Sequence, residues 1–296
     1  MAERKRASDF PKEVLALFDG YIHGFIDRRA FLEGAAKVVG GGTAAVAVLD
    51  ALQPRYAWAA QVPEADERIR AEYVEYDSPN GSGTMRGYMA VPDGATEPKP
   101  AVLVIHENRG LTPYIEDVVR RFAAANFVAL GPDALTPLGG YPGNDDDGRT
   151  MQRQLDRAVM MEDWVAAFEY LRTHSSSTGR VGAVGFCYGG GVVNQLAVRL
   201  PNLGAGAPFY GAAPASGDVA QIQAPLLIHY GGLDERINAR WPEYHDALEA
   251  GGKTYTMHMY EGANHGFHND TTPRFDEEAA TLAQERTVAF FNEHLR

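Results

Sequence analysis

A chain of 296 residues, 45% apolar and 22% charged, has a globular balance and the length for one large α/β domain or two small ones. Its formal net charge of −12 argues against nucleic-acid binding, which needs clustered Lys and Arg on the phosphates. The single cysteine excludes an intramolecular disulfide and a metal site built from cysteines; that thiol is either a small buried hydrophobe or a reactive group.

Residues 1–59 read as a leader. After a polar stretch of mixed charge, Arg28-Arg29 precede a weakly apolar, Gly/Ala-rich run from Gly34 to Leu49, which leads to Ala57-Trp58-Ala59. An arginine pair, a modest apolar run and a small-x-small cleavage pattern together resemble a twin-arginine export signal. They predict cleavage after Ala59 and a periplasmic location. Glu33 and Lys37 interrupt the start of the run. The alternative is therefore an amphipathic helix packed on the domain or on a partner subunit, in a cytoplasmic protein. The run is too short and too charged for a stable membrane span.

Residues 60–296 read as a single domain. Ile69–Asp77 and Thr84–Val91 alternate around Pro79-Asn80-Gly81-Ser82-Gly83, predicting an antiparallel hairpin. Ala101–Ile105 is continuously apolar, as in a strand buried on both faces. A helix over Tyr114–Ala125 and a strand over Phe127–Leu130 follow. Asp145–Gly148 is expected as a charged loop, and Met151–Leu171 as one long amphipathic helix. Strands are expected at 181–186, 206–210, 225–230 and 254–260, with helices at 189–200, 242–250 and 277–295. Strands alternating with helices imply a mostly parallel sheet covered on both faces, with the hairpin at one edge. In such sheets the working residues sit on loops at the carboxyl ends of strands.

One of those loops carries Gly185-Phe186-Cys187-Tyr188-Gly189, directly between an apolar strand and a helix. This G-x-C-x-G pattern is a nucleophile elbow with cysteine in place of serine. The turn strains the nucleophile's backbone, the glycines remove Cβ atoms that would clash, and the helix N-terminus favours a thiolate. An ordinary thiol is only a few per cent ionised at neutral pH and needs a base. Chain order in elbow hydrolases is nucleophile, acid, histidine. Asp234 follows the strand ending at Tyr230, and His265 follows the strand ending at Tyr260. Glu235, His258 and His268 are their rivals, with His258 inside a strand pattern and expected to be structural.

The motifs GFCYGGG (185–191), HYGGLDERI (229–237) and GANHGF (262–267) resemble the dienelactone hydrolase family over roughly residues 65–295. The resemblance implies an α/β-hydrolase fold and cleavage of an ester or lactone. It also implies a role for Glu107, in His106-Glu107-Asn108-Arg109-Gly110, at the cysteine in forming the thiolate. The backbone N–H groups of Asn108 and Tyr188 would form the oxyanion hole. That family holds substrate carboxylates on arginines, one of them four residues past the catalytic histidine. Asn269 stands at that position here, which favours uncharged substrates unless Arg109, Arg149, Arg153, Arg236 or Arg274 substitutes.

The expected reaction is hydrolysis through a thioester acyl-enzyme on Cys187, His265 and Asp234, with no cofactor and no metal, on a small-molecule ester or lactone. A homodimer is compatible with the sequence. Tyr141, Phe209, Tyr210 and Trp241 are candidate pocket aromatics. A broad carboxylesterase or a hydrolase of other activated esters could use the same triad. Outside hydrolysis, a thiol redox sensor lacks a resolving cysteine, and a binding protein would have no use for an apparent triad.

Overall fold

The alternating and apolar segments from residue 69 onward form one eight-stranded sheet in the computed structural model, which describes residues 5–58 and 60–296. The expected cleavage position at Ala59 lies outside the described residues. The strands are β1 (Ile69–Ser78), β2 (Gly83–Pro92), β3 (Lys99–Ile105), β4 (Val128–Pro132), β5 (Ser177–Phe186), β6 (Ala205–Phe209), β7 (Leu226–Gly231) and β8 (Tyr255–Tyr260). They lie in the order β1-β2-β4-β3-β5-β6-β7-β8. The β1–β2 and β2–β4 pairs are antiparallel and the others parallel, so the hairpin forms the expected edge.

Before the sheet come α1 (Lys12–Ile22), α2 (Arg28–Val39) and α3 (Gly42–Leu52), in the stretch expected as a leader. Helices of 11 or 12 residues are marginal alone, so these stand by packing. They enclose their own apolar cluster, including Val14, Phe18, Phe31, Leu49 and Leu52. The cluster is tied to the sheet domain by polar bonds: Arg55 N–H to Thr271 O (2.8 Å), Tyr56 hydroxyl to Asp145 (2.6 Å) and Asn108 Nδ2 to Ile22 O (2.8 Å).

The remaining helices are α4 (Pro113–Ala124), α5 (Asp145–Gln152), α6 (Arg157–Thr173), α7 (Tyr188–Arg199), α8 (Glu235–Asn238), α9 (Trp241–Ala250) and α10 (Glu277–Leu295). Alternation along β3 shows how they cover the sheet. Val102 and Val104 pack with α4 and α10, while Ala101, Leu103 and Ile105 pack with α6, α7 and α9. On α4, Ile115, Val118, Val119 and Phe122 are fully buried, each contributing about 1.5–3 kcal/mol.

Two expectations need correction. Asp145–Gly148 is not a loop but the first turns of α5: the Asn144 side chain accepts from Asp147 N–H (2.9 Å), and three aspartates complement the helix N-terminus. The helix expected over Met151–Leu171 is broken at residues 153–156. Asp156 then caps α6 by accepting from the N–H groups of Ala158 and Val159.

Candidate active site

The carboxyl ends of β5, β7 and β8 bring Cys187, Asp234 and His265 together. Cys187 sits between β5 and α7 with φ 57° and ψ −112°, a strained backbone for a residue with a Cβ. Its neighbours explain how the strain is held. A Cβ on Gly185 would lie 2.2 Å from Gly189 O, and one on Gly189 would lie 2.3 Å from Ile105 O. Only glycines allow the elbow to close against the end of β3. Cys187, half-buried, thus stands at the N-terminus of α7, where the turn packs on the end of β3.

Asp234 follows β7 and opens α8, accepting from Ile237 N–H (3.2 Å) through Oδ1. Its Oδ2 accepts from His265 Nδ1 at 2.5 Å. Burial pushes the Asp234 carboxyl up, but the hydrogen bond and charge of His265 outweigh it and the group is held below its ordinary range. His265 is 6% exposed, and its Nε2 has no hydrogen-bond partner among the described residues. The His265 ring shares a small space with Cys187 Sγ and His23, one ring nitrogen of each lying within 4.8 Å of the other and of the sulfur. Burial opposes the charged imidazole; the cysteine's negative charge and the Asp234 hydrogen bond prevail and raise His265 to about 10. Conversely, burial would raise the Cys187 thiol, but the charges of His265 and His23 bring it down to about 5. The pair is poised as thiolate and imidazolium, the form that nucleophilic attack requires.

The second imidazole is a residue that sequence reasoning missed. His23 ends α1, where Gly24, with φ 78°, turns the chain away. Its Nε2 lies 3.4 Å from Cys187 Sγ, and its Nδ1 donates to Asp19 O at 2.8 Å, with the Asp19 carboxylate at 3.2 Å. Amphipathic spacing was legible in α1, whose buried residues are Val14, Phe18, Tyr21 and Ile22. It signals a packed helix but not its destination.

The other expected residues are placed as follows. Glu107 is buried, and its carboxylate accepts from Arg109 and, at 3.0 Å, from Asn269 Nδ2. Among the described residues Glu107 makes no hydrogen bond to the sulfur, which lies instead within hydrogen-bond distance of His23 Nε2. Arg109 also reaches Asp145 at 2.5 Å, fixing the Glu107 loop to α5. The Asn108 side chain holds the end of α1, and Tyr188 opens α7 with its hydroxyl accepting from Trp164 Nε1 at 3.3 Å. His268 is buried between the Tyr114 hydroxyl (2.7 Å) and Gln284 (3.2 Å), and burial pushes it down to about 3. It is a neutral structural histidine.

A cleft of 1550 Å³ between the N-terminal segment and the sheet domain reaches Asp234 and His265. Its wall includes Phe10, Asp19, Leu233, Arg236 and Arg274, and none of the four expected aromatics. Phe209 and Tyr210 are instead fully buried, Tyr210 with its ring 4.9 Å from that of His265. Trp241 packs on Tyr230 and Tyr244, and Tyr141 bonds Asp145. Asn269 serves Glu107, whereas Arg236 and Arg274 reach the cleft, each facing Asp19, at 3.5 and 3.8 Å.

Comparison with known proteins gives matches over most of this architecture. The family model described as "Dienelactone hydrolase family" matches residues 85–295, and one described as "YqhI-like" matches residues 1–39. "Putative hydrolase fragment YghX" of Escherichia coli (strain K12) is 56% identical over 112 residues, 38% of this chain and 96% of that fragment. "Probable 2-oxo-3-(5-oxofuran-2-ylidene)propanoate lactonase" of a Bradyrhizobium species is 31% identical over 245 residues, 78% of this chain and 97% of that protein. Among solved structures, "Putative Dienelactone Hydrolase" from Klebsiella pneumoniae superposes with a TM-score of 0.67 at 25% identity. That match covers 75% of this chain and 99% of that one.

Proposed function

Because the chain belongs to the dienelactone hydrolase family and is a hydrolase of ester or lactone type, we propose that it works through Cys187 and a thioester acyl-enzyme. The observation that carries this reading is Cys187 on its strained turn beside an imidazole oriented by a buried carboxylate, an arrangement that also lowers the thiol. Cys187 Sγ attacks the carbonyl carbon, the C–O bond to the leaving alcohol breaks, and His265 gives that alcohol its proton. His265 then takes a proton from water as the water attacks the thioester, which releases the acid and restores the thiolate. Asp234 holds the imidazole tautomer. Glu107, fixed by Arg109 and Asn269, positions the loop whose Asn108 N–H joins that of Tyr188 on the oxyanion. One such donor contributes roughly 3 kcal/mol of transition-state stabilisation.

Uncharged esters or lactones are the substrates of the full chain on this reading, because Asp19 already faces the two cleft arginines. Titration with p-nitrophenyl acetate is expected to release a burst of one nitrophenolate per chain before steady turnover. Turnover without a burst that responds to thiol blocking would overturn the covalent route. A carboxylated lactone turned over tenfold faster than an uncharged one of similar size would overturn the substrate class.

For residues 1–59 we propose export by the twin-arginine route, supported by Arg28 and Arg29 lying exposed at the start of α2. The α2 and α3 stretches together reach the length and apolar character of a span only as a pair bent by 112°. In a bacterium with a working pathway, the chain is expected in the periplasm with its N-terminus near residue 60. Arg28→Lys with Arg29→Lys is expected to retain it in the cytoplasm, since the route reads the guanidinium pair. Full-length cytoplasmic protein in both cases would favour the cytoplasmic reading, to which the packing of α1–α3 on the domain lends support.

A further inference from the structure

Hydrolysis through Cys187, His265 and Asp234 assigns no bond-making step to His23 or Asp19, although His23 is held at the sulfur and Asp19 at His23. Cys187 Sγ and one ring nitrogen each of His23 and His265 all lie within 4.8 Å of one another, with His23 Nε2 3.4 Å from the sulfur. Each imidazole has its Nδ1 engaged by an aspartate, His265 by Asp234 at 2.5 Å and His23 by Asp19 O at 2.8 Å. Each Nε2 is thereby left as the ring nitrogen free to ligate, that of His23 lying 3.4 Å from the sulfur. The His265 Nε2 is buried and unpartnered among the described residues.

We propose that His23, Cys187 and His265 form a site for a zinc-class divalent ion in the chain that retains residues 1–59, and that the bound ion reversibly blocks the thiol. One thiolate and two imidazoles suit zinc, and three protein ligands leave a fourth position for water. Bonds of about 2.3 Å to sulfur and about 2.0 Å to nitrogen require S···N edges of about 3.6 Å and an N···N edge of about 3.3 Å. The His23–Cys187 edge, 3.4 Å, is already close to that length. The remaining edges are no longer than 4.8 Å, and side-chain rotation closes the difference. The aspartates complete the arrangement, because a ligating imidazole generally donates its other N–H to a carboxylate or carbonyl, which fixes the tautomer and strengthens the ligand. As the ion binds, the proton of the thiolate–imidazolium pair passes to solvent, together with that on His23 Nε2 where this ring is charged, so that a thiolate and two neutral imidazoles hold the ion.

Arg236 opposes the ion. Its guanidinium lies 3.1 Å from His23 Nε2 and 3.4 Å from His265 Nδ1. The side chain is 34% exposed and can swing outward, so the site binds an ion reversibly instead of requiring one to fold.

The test uses the full chain and Co²⁺, then Zn²⁺ as competitor. Co²⁺ is expected to bind one per chain with a sulfur-to-cobalt charge-transfer band, which Zn²⁺ removes. Cys187→Ala is expected to lose the band. His23→Ala and His23→Gln should each weaken Zn²⁺ more than about a hundredfold, since losing an outer-shell partner alone typically costs 10–100-fold. Asp19→Asn removes only the carboxylate charge and leaves the backbone acceptor of His23 Nδ1, so it should weaken binding by less than about tenfold. His245→Ala, an exposed histidine, should leave the affinity unchanged. Unfolding midpoints of both His23 variants separate a lost ligand from a lost fold. Absence of the sulfur band, or equal Zn²⁺ affinity in a folded His23 variant, overturns the site. The block on catalysis rests on the Cys187 reading, but the binding does not. A cobalt band without an acyl burst would sink only the hydrolytic role of Cys187.

Discussion

Replacing Cys187 by Ala is expected to lower kcat for ester hydrolysis by about a millionfold, the scale seen when a triad nucleophile is removed. The fold should survive, because the side chain is small and half-buried and an L-residue at this elbow meets the same backbone constraint. Cys187→Ser is expected to recover little, since the two imidazoles are arranged to hold an acidic thiol at about 5, far from the range of a hydroxyl. The same lowering sets a pH signature. Iodoacetamide should label one site per chain at a rate that stays level from neutral pH down toward 5, then falls as the thiolate is protonated. An alkylation rate that climbs through pH 8–9 would mean an ordinary thiol. Full activity after complete labelling would rule out Cys187 as the nucleophile.

His265→Ala should cost nearly as much as the loss of the cysteine, because members of a triad act as a unit. Asp234→Asn is expected to cost about ten-thousandfold in kcat through loss of the correct tautomer, with the 2.5 Å contact to His265 kept as a weaker one. His268→Ala is the discriminating control. It should leave kcat within a few-fold, yet destabilise the chain by about 1–3 kcal/mol by stranding the buried Tyr114 hydroxyl and Gln284. Steady-state kinetics and denaturant midpoints on the three variants separate the roles. A folded His268→Ala enzyme without activity would move the base to that residue.

Much of this arrangement is written in local sequence. Val181–Phe186 followed by Cys187 and Gly189–Gly191 specifies strand, strained turn and helix within a dozen residues, because the steric demand of an elbow is met by immediate neighbours. Asp234 and His265 are legible for a related reason: each lies a few residues beyond an apolar run, and a parallel sheet puts the ends of such runs on one edge. The misread stretch at Asp145–Gly148 lacks an apolar period. Its helix depends on the Asn144 cap and on the long-range bonds of Tyr56 and Arg109 to Asp145.

The sequence alone determined the sheet, the strained turn at Cys187 and the placing of Asp234 and His265 at the ends of neighbouring strands, since strand period, glycine sterics and chain order act over short distances. Only the tertiary structure decided what surrounds the sulfur. Residue 23 reaches Cys187 across 164 positions of chain, by way of a helix whose apolar face says that it packs but not where. Asn269 came to hold Glu107, and Asp19 to face Arg236 and Arg274, through contacts between segments that share no local pattern. Such pairings are set by the closing of the whole core, where burial forces each charged group to find a partner from whatever part of the chain lies beside it.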